Sequence, residues 1–152
     1  MNDYVKLLSA GLTPILGILT AYIAWQQWRT NHLKVRHDLY ERRLSIYLAV
    51  MEFLACVMRR STVSDEELVA FLQKTRESYF LFGPDIGDYL DVLYKKAVDL
   101  QYHSTMLHDP TSNLPVGDER SRLAHEKAEI SKWFTRQFEV TRTKFTKYMR
   151  LA

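Results

Sequence analysis

The chain has 152 residues, a formal net charge of +3 and a pI near 9.0, with 47% hydrophobic and 26% charged residues. Its one cysteine, Cys56, excludes an internal disulfide framework and any cysteine-based zinc site, and in an apolar helical run it reads as a small core residue. Few glycines and prolines, and no Ser- or Gly-rich linker, exclude a long disordered tract.

The first element is the most informative. No charged side chain occurs over residues 7–28, and roughly 20 apolar residues suffice to cross a bilayer core of about 30 Å as a helix. Each Leu and Ile there contributes about −0.5 kcal/mol to insertion, from which Gly, Pro, Ser and Thr subtract some. Residues 1–29 therefore read as a transmembrane anchor. A cleaved signal peptide fits less well, because the apolar run exceeds an h-region of about 7–15 residues. Tyr22 also stands two positions before Ala24, where a cleavage site needs a small side chain.

Asp3 and Lys6 precede the span, whereas Arg29, Lys34, Arg36, Arg42 and Arg43 follow it. Positive charge collects on the cytoplasmic side, so the first residues are expected outside and the C-terminal domain in the cytoplasm. Tyr4 at one end, and Tyr22, Trp25 and Trp28 at the other, suit interfacial aromatic belts. Ser9, Thr13, Gly17 and Ala21 recur every four residues, a small-residue face that lets two membrane helices approach closely. The same spacing arises in ordinary membrane helices, so this association face is an expectation only. Pro14 weakens or kinks the first turns.

Residues 30–152 read as one helical domain. Residues 29–60 contain neither Pro nor Gly, so the first helix is expected to run on from the membrane, with Leu39, Ile46, Val50, Phe53 and Val57 on one face. Ser64-Asp65-Glu66-Glu67 is a capping-box signature for a second helix displaying Leu68, Phe71, Leu72, Tyr79 and Phe82. Gly83-Pro84 ends it, and Pro84 can open the next helix. That third helix has the cleanest face: Ile86, Leu90, Leu93, Ala97, Leu100, Ser104 and Leu107. Residues 109–118 read as a loop. Asp118 caps a last helix whose face is Leu123, Ile130, Phe134, Phe138, Thr141, Phe145 and Tyr148. The fold class expected is all-α: an N-terminal transmembrane helix continuing into a cytoplasmic antiparallel four-helix bundle.

In such a bundle the fourth helix returns towards the membrane. Its basic end would then lie beside the basic stretch that follows the span. Arg29, Lys34, Arg36, Lys144, Lys147 and Arg150 are the residues expected to contact anionic lipid, each worth up to about 1 kcal/mol. Lipid thus accounts for the net basicity better than nucleic acid, although helix C-termini favour cations in any case.

The stretches YIAWQQWRTN at residues 22–31 and DLYERR at 38–43 resemble those of small bacterial membrane proteins with one N-terminal span and no assigned function. Trp25 stands where that pattern has Tyr. The similarity extends through Asp85-Ile86 and Trp133-Phe134 towards the C-terminus. It implies a bacterial inner membrane and a helical cytoplasmic domain, and no activity.

Chemistry is sparse. His32 and His37, like His103 and His108, are five apart, which separates the rings around a helix. Asp99 with His103, and His125 with Glu129, have a four-residue spacing that ordinary surface pairs share. Asp85, Asp88 and Asp91 at a helix start suit the helix dipole. No Gly-rich phosphate loop, nucleophile elbow or di-iron motif occurs. Neither cofactor, metal nor catalytic residue is assigned. The function expected is a non-enzymatic, membrane-anchored scaffold that self-associates through its span and presents its bundle to a cytoplasmic protein. The alternative is a membrane-acting effector, pore-forming or depolarising, controlled by the bundle.

Overall fold

The structure, a computed structural model, describes residues 2–108 and 117–149, with side chains apart from those of residues 2–15 and 31–33. Its elements are helices α1 (Asn2–Arg60), α2 (Asp65–Thr75), α3 (Ser78–Leu81), α4 (Pro84–His108) and α5 (Asp118–Met149), and the described residues contain no strand. The chain divides within α1 into two compact units, Met1–Leu39 and Tyr40–Ala152.

In the first unit, Leu16, Ile18, Leu19, Tyr22, Ile23, Trp25 and Trp28 are all exposed. At 3.6 residues per turn all of these except Trp28 lie on one half of the helix circumference, and the other half carries Gly17, Thr20, Ala21, Ala24, Gln27 and Trp28. Thr20 returns its hydroxyl to the Leu16 and Gly17 carbonyls, at 2.7 and 3.0 Å, so this hydroxyl is satisfied within its own helix. Among the described residues no helix is long and apolar enough to cross a membrane. Residues 16–28 alone fall short of the roughly 20 that a crossing needs. The earlier part of the expected span lies outside the described side chains.

The second unit is an antiparallel helical bundle. Arg43 of α1 bonds the Tyr148 carbonyl of α5 at 3.0 Å, Tyr47 meets Phe145, and Thr135 reaches Met58 at 3.4 Å, so the two helices run in opposite senses. Tyr89–Thr141 and Ser104–Lys127 pair α4 with α5 the same way, and Glu52–Lys74 and Cys56–Glu67 pair α1 with α2. The core draws on α1, α2, α4 and α5: Ile46, Val50, Phe53, Leu54, Val57, Leu68, Phe71, Ile86, Leu90, Leu93, Ala97, Leu100, Phe134 and Phe145 are buried. Phe53 stacks on Phe71, their ring centroids 4.3 Å apart.

The turns have local causes. α1 ends with Ser61 in the left-handed region (φ 52°), its N–H donating to the Val57 carbonyl at 2.8 Å. α2 starts with the expected capping box: Glu67 N–H donates to Ser64 Oγ and Ser64 N–H to Glu67 Oε2. The helix expected through Phe82 is instead interrupted between Thr75 and Ser78, and its inner face differs from expectation. The buried set is Leu68, Phe71, Thr75, Ser78 and Phe82, while Leu72 and Tyr79 are exposed. Thr75 and Ser78 can be buried because they are short, and Thr75 satisfies its hydroxyl on the Phe71 carbonyl at 2.7 Å. On α5 the buried face holds Gln137 where Phe138 was expected, with Phe138 half-buried.

Candidate functional site

Antiparallel pairing gathers four chain segments at one end of the second unit: the α1 stretch from Tyr40, α3, the α3–α4 turn, and the last turns of α5. Arg43 is the link. Its Nε donates to the Leu81 carbonyl and its Nη1 to the Tyr148 carbonyl, both at 3.0 Å, so it caps the ends of two helices. Its guanidinium also lies 5.9 Å from the Phe82 ring centroid and 6.0 Å from that of Tyr148. Phe82 packs edge-on against both Phe145 and Tyr148.

Next to this cluster the Tyr148 hydroxyl donates to Asp85 Oδ1 at 2.5 Å, with Lys147 Nζ 3.7 Å from Oδ2. The Tyr148 hydrogen bond first, and then Lys147, hold the Asp85 carboxyl below the usual carboxylate range despite some loss of solvent. Gly83 is required here, since a Cβ would come 2.5 Å from the Tyr148 hydroxyl and 2.8 Å from Asp85 Oδ1. The sequence marks this cluster only through the Gly83-Pro84 turn. Arg43 had been grouped with the surface bases, and nothing local signals its two carbonyl partners.

Of the residues expected at lipid, Arg29, Lys34 and Arg36 are exposed in the first unit. Lys147 lies at the bundle end just described. Lys144 is half-buried, its ammonium 5.4 Å from the Tyr89 ring centroid, so it is partly committed to the fold. Arg150 lies outside the described residues. Of the expected association face, Gly17 and Ala21 are exposed, and a Cβ on Gly17 would meet nothing within 4 Å. Ser9 and Thr13 lie outside the described side chains.

The remaining clusters have structural explanations. Cys56 is only half-buried, at the rim of a shallow pocket with Glu52, Glu67, Ala70 and Lys74 rather than inside the core. Its thiol donates to Glu67 Oε1 at 2.7 Å, and this carboxylate, aided by burial, pushes the thiol pKa up. Such a thiol is a poor nucleophile at neutral pH. Glu67 also pairs with Arg60 at 2.9 Å. The expected Asp99–His103 pair is not formed: Asp99 faces Lys96, and His103 Nε2 lies 3.3 Å from Glu126, its Nδ1 buried without a hydrogen-bond partner. Asp88 and Asp91 are exposed beside a groove lined by Phe71, Leu72, Arg76 and Tyr79. On α1, His37, Asp38 and Glu41 each offer a ligand atom within 4.8 Å of the others, all fully at the surface. Exposed polar groups one turn apart are ordinary on a solvated helix face.

Comparison with protein-family models, curated proteins and solved structures finds no match for the chain.

Proposed function

We propose that this chain is a non-enzymatic, membrane-anchored helical module. One uncharged helix holds it in a bacterial inner membrane with the N-terminus outside, and the bundle serves a protein partner in the cytoplasm. The supporting observation is the exposure of Leu16, Ile18, Leu19, Tyr22, Ile23, Trp25 and Trp28 along one helix. So much exposed apolar surface requires lipid or other chains as its surroundings. The uncharged run from residue 7 extends that segment to a spanning length. The resemblance at residues 22–31 and 38–43 points to the same membrane.

Self-association follows from the half of the helix that carries the small residues. Gly17, Ala21 and Ala24 lie on it, with Thr20 turned in on its own helix. On this reading a second copy packs there, and Gly17→Leu, at a position where a Cβ meets nothing within 4 Å, abolishes cross-linked dimers in membranes. On this reading Arg29, Lys34, Arg36, Lys147 and Arg150 are among the basic residues that contact anionic headgroups.

The anchor is tested by Leu16→Arg, which places a charge near mid-bilayer at about +3 kcal/mol. The parent chain is expected to stay in the membrane pellet after carbonate washing, and the variant to be released or degraded. A parent chain recovered in the wash would refute the anchor. Equal cross-linking of Gly17→Leu and parent would refute the association face.

A further inference from the structure

We draw no further inference here: the strongest candidate, the open groove between α2 and α4 where Leu72 and Tyr79 are exposed, has Asp88 and Asp91 on one wall and Arg76 on the other, so its charge selects no partner, and nothing in the structure shows what covers it.

Discussion

Thr141 is fully buried, yet its hydroxyl has two partners: it donates to the Gln137 carbonyl at 2.7 Å and accepts from the Tyr89 hydroxyl at 2.7 Å. Tyr89 has only one further contact, with the Gln137 carbonyl at 3.4 Å. Removing the two groups should therefore cost different amounts. Tyr89→Phe leaves Thr141 satisfied and should destabilise by about 1 kcal/mol, the net worth of one hydrogen bond. Thr141→Val leaves the buried phenol only its long contact with the Gln137 carbonyl and should cost about 1–3 kcal/mol. Urea unfolding of the two variants gives the order, and equal losses would mean that the pair is not the organising bond. Asp85 carries a pH dependence. Its carboxyl is depressed below 3.8 in the folded chain, chiefly by Tyr148, so its contribution is present above the unfolded value and is lost as pH falls through the folded one. Tyr148→Phe should therefore lower the melting temperature at neutral pH, and the gap to the parent should narrow in acid below the folded value. A gap independent of pH would show that the phenol acts through packing alone.

At the scale of the element, the helix faces show which signals the sequence carries. α4 follows its 3.5-residue pattern closely, down to the buried Ser104, and departs from it only by adding Tyr89 and by leaving Leu107 half-buried. The capping box of α2 is likewise legible, because its atoms are local. The inner face of α2 and α3 is less so: Thr75 and Ser78 are polar, and hydrophobic periodicity passes over them in favour of Leu72 and Tyr79. Gln137 fails for the same reason, its amide turning back to the Trp133 carbonyl at 3.2 Å. The cluster around Arg43 was illegible because its partners lie 38 and 105 residues away along the chain. Ser61 offers a test at this scale. It holds φ near 52° without being glycine, a conformation that costs an L-residue about 1–2 kcal/mol. Ser61→Gly should thus raise stability by roughly 0.5–1 kcal/mol, the relief being partly offset by the greater freedom of glycine in the unfolded chain. The urea midpoint measures it, and a fall would mean that the serine side chain stabilises this turn.

For the whole molecule, the division of labour between the two units gives the strongest prediction. Every buried hydrophobic residue described lies between Ile46 and Phe145, inside the second unit. In the first, the described side chains are exposed. Folding energy and membrane affinity should therefore separate along the chain. A fragment of residues 40–152 keeps the entire described core, including the Phe53–Phe71 stack and the Arg43 cluster. It should unfold cooperatively within a few degrees of the full chain, because none of the described side chains removed is buried. Its membrane behaviour should change in kind. With the uncharged run gone, only the bases of the bundle remain. Binding to anionic vesicles should then be reversible and weaken steeply as salt shortens the screening length from about 10 Å at 0.1 M. The full chain should resist both salt and carbonate. Sedimentation with vesicles across a salt series, beside thermal unfolding of the same samples, reads both quantities. A fragment that fails to fold would show that residues before Tyr40 stabilise the bundle. A fragment that pellets with membranes after carbonate would place the anchor in the bundle and remove the reason for assigning it to the uncharged helix.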